Sequence, residues 1–407
     1  MSTHTPKLYF PGTVHYINPL HSEHDEDAIL ISEFGRAVRW VGIALCIYVL
    51  VVAINLINNG IHILGYDAVH NFVGTINHPI LAVLAGVLFT FTVQSSTVVT
   101  TLTVATVGAG IVPLDMAVML IMGSNVGTCA ASQIVAFGFY RNACNLHRAV
   151  AAAMTHWWFN VLSLLVLFPI ELIFHPLSRL SGALSTRLYD ADGHAIDADG
   201  LVGHFVRPVS DALSSGIDQL FHPLSGTLTL TLGVFLIVLT IHYIAHLMQD
   251  LTASGSHHML ENSTHNKVAT APIRSTLAGL GLTMMSQSSS ATICSALPFA
   301  GTGNLAIRRF LGIVLGANLG TTLTAVLTAF AFPGEHGELA LQAALIHVLF
   351  NLIGIIAVLS AKPVSRTILT LSEKTAGLAG KQPFPAFLCI IASYTLIPLA
   401  ILSLSTL

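Results

Sequence analysis

The chain of 407 residues is 54% hydrophobic and only 9% charged, whereas soluble domains carry about 25% charged residues. This composition excludes an ordinary water-soluble fold, and the net charge of −3, without a basic stripe, does not indicate nucleic acid as a partner. Residues 1–39 are polar and carry Asp and Glu, so they do not resemble a cleavable signal peptide, and we expect a cytoplasmic segment there.

Long apolar stretches follow this segment along the rest of the chain. Seven of them suit one membrane crossing, because a helix needs roughly 20 residues to cross an apolar core of about 30 Å. Two others, 79–112 and 275–302, are too long for one crossing and are interrupted by polar residues at the centre, so we predict re-entrant helical hairpins. The single-crossing stretches are 40–57, 116–139, 149–170, 226–248, 310–332, 339–361 and 384–404.

The second half of the chain repeats the first. A shift of 193 positions superimposes residues 86–128 on 279–321 without a gap, and the identical positions are mostly glycine or polar. A chance alignment of apolar helices would match mainly Leu, Val and Ala. The matches include Gln94-Ser95-Ser96 with Gln287-Ser288-Ser289, and a G-x-N-x-G-T motif at 123–128 and 316–321. We predict an all-α membrane protein, a transporter with about seven transmembrane helices plus two hairpins.

The basic residues indicate the orientation of the chain. With the N-terminus inside, all but three of the 16 Lys and Arg residues lie in the cytoplasm. The exceptions, Arg179, Arg187 and Arg207, lie in a long outside loop, where the positive-inside bias is weakest. The first hairpin then enters from outside and the second from inside, which makes the repeats inverted. We expect a multi-pass protein of the plasma (inner) membrane with a cytoplasmic N-terminus and an extracytoplasmic C-terminus.

The predicted organisation has five parts. They are a cytoplasmic N-terminal segment (1–39), repeat 1 with a crossing, a hairpin, a broken crossing and a further crossing (40–170), an extracytoplasmic loop (171–225), the inverted repeat 2 (226–361), and a cytoplasmic linker with the last crossing (362–407).

The polar residues at the hairpin breaks predict a binding site. A helix is broken at membrane depth only where the freed backbone groups are buried or line a cavity, since an unpaired group in hydrocarbon costs several kcal/mol. The exposed N–H groups of a helix N-terminus suit an anion, whereas freed carbonyls and Ser, Thr, Asn and Gln oxygens suit a cation such as sodium. A single Q-S-S would more often be helix-packing polar residues, but its duplication at matched depth favours a site.

Two further duplicated residues lie beyond these motifs. His156 and Asn160, like His347 and Asn351, stand about one helical turn apart on one face, and we interpret both pairs as hydrogen bonds between helices rather than as ligands. The sequence contains no nucleophile elbow, P-loop or H-E-x-x-H motif, so we expect neither an enzyme nor a transition-metal site.

These paired motifs resemble the type II sodium/phosphate cotransporter family, in a bacterial-type member, over roughly residues 40–404. The resemblance implies a symporter that imports inorganic phosphate by alternating access, with Na⁺ as coupling ion, no other cofactor, and phosphate, sodium and the lipid bilayer as partners. Thr97 replaces the fourth-position serine and keeps the hydroxyl. The expected phosphate contacts are Gln94, Ser95, Ser96, Thr97, Gln287, Ser288, Ser289 and Ser290. The expected sodium contacts are Gln94, Ser96, Asn125, Thr128, Gln287, Ser289, Asn318, Thr321, Thr322 and Thr324.

Other functions remain open on the residues alone. Hydroxyls at the hairpin tips do not distinguish anions by their number of oxygens, so the substrate could be another oxyanion such as sulfate, or a dicarboxylate. A phosphate exporter would carry the same motifs. A passive anion channel would be expected to have an open pore lined by rings of charge. A phosphate sensor would need an output domain, for which the sequence gives no sign.

Overall fold

The structure is a computed structural model, and it describes residues 13–14, 30–31, 33–64, 78–190, 205–265, 271–330, 332 and 334–404. The regular structure of these residues is almost entirely helical, apart from a two-residue antiparallel pair, β1 (Thr13–Val14) with β2 (Leu30–Ile31). The helices are α1 (Glu33–Leu64), α2 (Pro79–Val93), α3 (Ser96–Gly108), α4 (Leu114–Gly127), α5 (Cys129–Phe137), α6 (Ala143–Phe174), α7 (Pro176–Asp190), α8 (Arg207–Phe221), α9 (Ser225–His265), α10 (Ala271–Ser286), α11 (Ser289–Gly301), α12 (Ile307–Ala329), α13 (Gly334–Ser360), α14 (Lys362–Lys381), α15 (Pro383–Tyr394) and α16 (Leu396–Leu404).

The predicted number of membrane crossings is confirmed. In the described part of the chain, seven helical segments are long and apolar enough to span a bilayer, and each overlaps one predicted crossing. They run over 34–64, 114–137, 143–174, 225–244, 307–329, 336–360 and 383–403. The chain is therefore an all-α, multi-pass membrane protein.

The two stretches predicted as hairpins each form a pair of short helices. Helices α2 and α3 have 15 and 13 residues, and α10 and α11 have 16 and 13. At about 1.5 Å per residue none of these arms reaches across an apolar core of about 30 Å. In each pair the two arms contact each other.

The second and fifth crossings carry the matched G-x-N-x-G-T motifs but differ in continuity. The second consists of α4 and α5, which meet at Thr128, but Thr128 keeps right-handed helical angles (φ −65°, ψ −19°), so the broken crossing stays a prediction. The fifth crossing, α12, runs through its copy of the motif without interruption. The motif by itself therefore does not break a helix.

Two segments predicted as a loop and a linker contain helices. Helices α7 and α8 lie within 171–225, and α14 fills most of the linker after the sixth crossing. In α14 the buried residues Ile368, Ser372, Ala376 and Ala379 recur every three or four positions, so one narrow stripe faces the protein. A search for continuous apolar runs misses such a helix because most of its residues are polar or exposed.

Helix contacts recur in matching pairs, both within each half and between the halves. Helix α2 packs on α4, as α10 packs on α12. Helix α3 contacts α12 and α13 of the second half, and its sequence counterpart α11 contacts α5 and α6 of the first. Helix α7, which follows α6, packs on α13, while α14, which follows α13, packs on α6. The second short helix of each pair therefore packs against long helices of the other half.

Glycines allow the close contact of α2 with α4 and of α10 with α12. A Cβ added at Gly123 would lie 2.0 Å from the carbonyl oxygen of Val83, and one at Gly316 would lie 1.8 Å from that of Thr276. Both distances are far shorter than any van der Waals contact, and the neighbour is backbone, which cannot turn away. The helices approach this closely only because these positions lack a side chain.

We expect Gly123→Ala and Gly316→Ala to destabilise the protein by about 1–3 kcal/mol or more, because the packed helices must separate. The measurement is the unfolding temperature of the detergent-purified variants and their yield as a single species in size-exclusion chromatography. Gly377→Ala on α14 is the control, since a Cβ there meets no atom of the described residues within 4 Å. Unfolding temperatures equal to that of the control would contradict the close packing.

Candidate functional site

Both short-helix pairs break at the glutamine of the Q-S-S motif. Gln94 follows α2 with a φ of 56°, and Gln287 follows α10 with a φ of 54°. The next residues, Ser95 and Ser288, are extended and cap α3 and α11 by accepting a hydrogen bond from the N–H three residues later, at 3.3 and 3.1 Å. A left-handed conformation costs a non-glycine residue roughly 1–2 kcal/mol, and such strain clusters at functional sites.

The two tips, defined as residues 94–97 and 287–290, contact each other directly. The hydroxyl of Thr97 donates to the backbone carbonyl of Gln287 at 3.4 Å, which joins residues 190 positions apart. The hydroxyls of Thr128 and Ser290 lie 3.4 Å apart, so the first G-x-N-x-G-T motif also reaches the second tip. The structure therefore brings both Q-S-S motifs and one end of the first crossing motif into one place.

Serines at the start of the second arms are withdrawn from the surface. Ser96 is 4% exposed, Ser289 is 3% exposed and Thr97 is 3% exposed. Ser96 and Ser289 are the first residues of α3 and α11, where backbone N–H groups have no partner within the helix. Neither tip contains Lys or Arg. The positive potential at the tips therefore comes from helix N-termini and from hydroxyl and amide donors.

The two tip glutamines are held in similar ways but differ at their oxygens. Each amide nitrogen donates to the carbonyl three residues earlier, Phe91 for Gln94 and Met284 for Gln287. The Oε1 of Gln287 also accepts the hydroxyl of Thr324 on α12. The repeat places Ala131 at the position equivalent to Thr324, so the first half cannot make this contact.

The threonines predicted near sodium lie on α12 beside this glutamine. Thr321 and Thr322 are 2% and 4% exposed, and their hydroxyls donate to the carbonyls of Asn318 and Leu319, both at 2.8 Å. Together with Thr324 they make the second half richer in hydroxyl oxygen than the first, where the sequence equivalents are Thr128, Cys129 and Ala131. Side-chain hydroxyl oxygens are thus unequally divided between these matched positions of the two halves.

The two motif asparagines form hydrogen bonds between the halves. Asn318 donates to Asn160 at 3.1 Å and lies 3.0 Å from the Nε2 of His156, and Asn125 accepts from Asn351 at 3.2 Å. These contacts confirm the interpretation of His156, Asn160 and Asn351 as residues that join helices. The same bonds occupy the amides of Asn125 and Asn318, whose contact with sodium remains a prediction.

Sequence reasoning missed the hydroxyls that brace the second tip. The hydroxyl of Thr283 donates to Thr292 at 2.9 Å, and Ser286 lies 3.2 Å from the same oxygen, which ties the two arms together. In the first half Val99 stands at the position of Thr292, and the hydroxyl of Thr90 has no partner within the described part of the chain. The identity of Thr90 with Thr283 was visible in the repeat, but its partner on the other arm was not.

Sequence reasoning also missed a contact of the last crossing. Tyr394 of α15 is 2% exposed and stacks on Phe91 of α2 with ring centroids 5.4 Å apart. Phe91 is one turn before Gln94, so the crossing outside the repeat supports the first tip. A single aromatic residue in an apolar run gives no sequence signal of such a role.

Comparison with known proteins identifies a transporter family for most of the chain. The family model described as Na+/Pi-cotransporter matches residues 49–175 and 236–379, which include both tips and both crossing motifs. The sodium-dependent phosphate transport protein 2B of Homo sapiens is 24% identical over 94% of this chain and 68% of its own length.

Two other relatives cover less of their own length. The 2A protein of Mus musculus is 25% identical over 81% of this chain and 61% of its own length. The 2C protein of Mus musculus is 37% identical over 32% of this chain and 21% of its own length. No solved structure matches the chain. Because the family model covers well over half of the residues, the chain belongs to the Na+/Pi-cotransporter family and is a membrane transporter rather than an enzyme.

Proposed function

We propose that this protein imports inorganic phosphate together with sodium by alternating access, with the anion held between the two tips. The observation that carries the proposal is the direct contact of the duplicated Q-S-S motifs, through Thr97 and Gln287, in a member of a cotransporter family. The curated relatives are sodium-dependent phosphate transport proteins, which supports the same substrate and coupling ion here.

Phosphate would lie against the N-termini of α3 and α11. Each N-terminus carries about half a positive charge and free N–H donors, which suit an anion. Hydroxyls of the tip serines and Thr97, with the amides of Gln94 and Gln287, would supply further donors. The expected phosphate contacts therefore remain the eight residues of the two tips, 94–97 and 287–290.

Sodium would bind nearer the second half. The oxygens of Gln287, Thr321, Thr322 and Thr324, with the hydroxyls of Ser289 and Thr128, offer neutral ligands close to the proposed anion. Sodium bound there would offset the charge of phosphate, since the tips carry no basic side chain. Each ion therefore raises the affinity for the other, which is the thermodynamic linkage that symport requires.

Alternating access would use the inverted repeats, 40–170 and 226–361. The matched contacts of α3 with the second half and of α11 with the first support an arrangement in which the short-helix pairs are re-entrant hairpins from opposite sides. The basic residues support a cytoplasmic N-terminus, an extracytoplasmic C-terminus and an outside location for α7.

This orientation predicts opposite reactivity for two exposed positions. In a variant that lacks the five native cysteines, we expect a thiol at Arg187→Cys on α7 to react with an impermeant maleimide added to intact cells. A thiol at Lys374→Cys on α14 should react only after the membrane is opened. Both native side chains are exposed, so burial does not protect either thiol. The reverse labelling pattern would overturn the charge-based orientation.

The substrate is tested by uptake of labelled phosphate into vesicles under an inward sodium gradient. We expect accumulation that unlabelled phosphate inhibits and that sulfate and dicarboxylates do not. Inhibition by sulfate or a dicarboxylate at equal concentration would favour another oxyanion or a dicarboxylate as substrate. Phosphate movement only from the inside to the outside would favour an exporter, and flux without sodium coupling would favour a channel.

A further inference from the structure

Two buried polar clusters join the halves of the chain, and they contain the same residue types. Each consists of a histidine, an asparagine one turn later on the same helix, and the G-x-N-x-G-T asparagine on a helix of the other half. All six side chains are at most 2% exposed. The first cluster is His156, Asn160 and Asn318, and the second is His347, Asn351 and Asn125.

In the first cluster the motif asparagine links both partners. The Oδ1 of Asn318 lies 3.0 Å from the Nε2 of His156, and its Nδ2 donates to the Oδ1 of Asn160 at 3.1 Å. Both the oxygen and the nitrogen of the Asn318 amide thus form a hydrogen bond across the interface between α12 and α6.

In the second cluster the motif asparagine turns toward its own helix. The Nδ2 of Asn125 donates to the carbonyl of Ile121 at 2.8 Å, and its Oδ1 accepts from Asn351 at 3.2 Å. As a result, both ring nitrogens of His347 and the Oδ1 of Asn351 are buried without a partner among the residues that the structure describes, whereas in the first cluster this holds only for the Nδ1 of His156. Residues that match in sequence and burial therefore differ in hydrogen bonding.

Exchanging the amide nitrogen and oxygen of Asn125 in place does not remove this difference. The exchange would put its oxygen against the carbonyl oxygen of Ile121, where two acceptors repel. The amide of Asn351 is fixed in the same way, because its Nδ2 also donates to the carbonyl of His347 at 3.0 Å. Only a rotation of the Asn125 side chain away from α4 can reproduce the bonds of Asn318.

That rotation would give partners to one ring nitrogen of His347 and to the Oδ1 of Asn351, and the other ring nitrogen would stay as the Nδ1 of His156 is in the first cluster. Asn125 would then accept from His347 and donate to the Oδ1 of Asn351, as Asn318 does with His156 and Asn160. The opposite rotation of Asn318 toward the carbonyl of Val314, the counterpart of Ile121, would remove the present partner of the His156 Nε2 and of the Asn160 Oδ1. A buried polar group without a partner destabilises the state in which it occurs, so each cluster would favour the arrangement in which its own bonds are made.

We propose that His156 and His347 are positioning residues of the transport cycle, each bonded to the motif asparagine of the opposite half in only one of the two end states. The inference rests on the alternating access proposed above. The structure shows the state in which the bond from His156 is made and the bond from His347 is open. When the halves exchange arrangements, Asn125 and Asn318 exchange rotamers, and the stabilising bond passes from α6 to α13.

The test uses His156→Phe and His347→Phe, which keep a ring and remove the hydrogen bonds. Apparent phosphate constants are measured at each face, in right-side-out and inside-out membrane vesicles at saturating sodium. Loss of a bond made in one state shifts the equilibrium between states, and the apparent constant follows the population of the competent state. We expect the ratio of the two constants to move in opposite directions in the two variants, by about threefold or more.

Further variants distinguish a positioning role of the two histidines from a purely structural role. His156→Gln and His347→Gln place an amide nitrogen near the position of Nε2 and should restore the wild-type ratio. His242→Phe on α9, an exposed histidine outside both clusters, should leave the ratio unchanged. If a Phe variant does not insert, the shorter His→Asn substitution at the same position is measured instead.

The inference is overturned if both variants move the ratio in the same direction, or if neither moves it while both lower the unfolding temperature. The latter result would indicate a static cluster in which a fixed water completes the bonds of His347. Absence of sodium-driven uptake by the wild-type protein would instead contradict the proposed function, so the two failures are distinguishable.

Discussion

Replacement of sodium by choline is expected to abolish concentrative phosphate uptake. The two tips contain no Lys or Arg, and the donors that the structure places there are neutral hydroxyls, amides and helix N-termini. A divalent or monovalent anion held by such groups lacks a full compensating charge until a cation binds nearby. Sodium beside Gln287 and Thr324 would supply that charge, so binding of phosphate depends on it.

The membrane potential and the sodium gradient, which drive uptake, lead to the same expectation. Each net charge that moves through 100 mV contributes about 2.3 kcal/mol, and a sodium gradient adds to this for every coupled ion. The measurement is accumulation of labelled phosphate in proteoliposomes with equal ionic strength on both sides, with sodium or choline outside. A second test is Thr324→Val, which removes the hydroxyl bonded to Gln287 and should raise the sodium concentration needed for half-maximal uptake. Accumulation in choline equal to that in sodium would refute symport.

The second large effect is a loss of phosphate affinity, which we expect equally from substitutions in either tip. Ser96→Ala and Ser289→Ala should each raise the apparent phosphate constant by about tenfold or more, because a hydrogen bond to a charged ligand contributes about 1.5–3 kcal/mol. The two serines occupy the same position at the start of α3 and α11 and are equally buried. If they bind one anion from opposite sides, loss of either impairs the same cycle. Gln94→Ala and Gln287→Ala should reduce transport further, since each amide offers both a donor and an oxygen.

The matched control for the tips is Ser372→Ala on α14. Ser372 is also buried, and its hydroxyl donates to the carbonyl of Ile368 in its own helix at 2.8 Å. The same loss of a buried serine hydroxyl outside the tips should leave the phosphate constant unchanged. Correctly inserted Ser96→Ala and Ser289→Ala proteins with the affinity of the Ser372→Ala control would place the site elsewhere.

The sequence alone determined the crossings, the duplication and the residue types of the site. The hydropathy of a segment depends only on its own residues, so the sequence was enough to find all seven crossings, although the ends of the first and third differ from the prediction by up to about two helical turns. The polar identities between 86–128 and 279–321 identified the tip glutamines and serines without any structure. The glycines that allow α2 to touch α4 belong to the same set of identities.

Local pattern did not reveal the helices that follow α6 and α13. Helix α14 buries only a narrow stripe against α6, and its charged and small residues read as a linker. A helix of this kind is stabilised by the surface on which it packs rather than by its own hydropathy. The same limit applies to α7, which packs on α13.

Tertiary structure alone decided which groups meet. The contact of Thr97 with Gln287, the pairing of Gln287 with Thr324, and the different bonding of Asn125 and Asn318 each join parts of the chain that a motif cannot relate in space. The repeat predicts two equivalent halves. The structure instead shows more hydroxyl contacts at the second tip, and His347, unlike His156, has no hydrogen-bond partner among the described residues. The physical reason is that a side chain's partner is set by the helices packed against it, and these come from the other half of the chain.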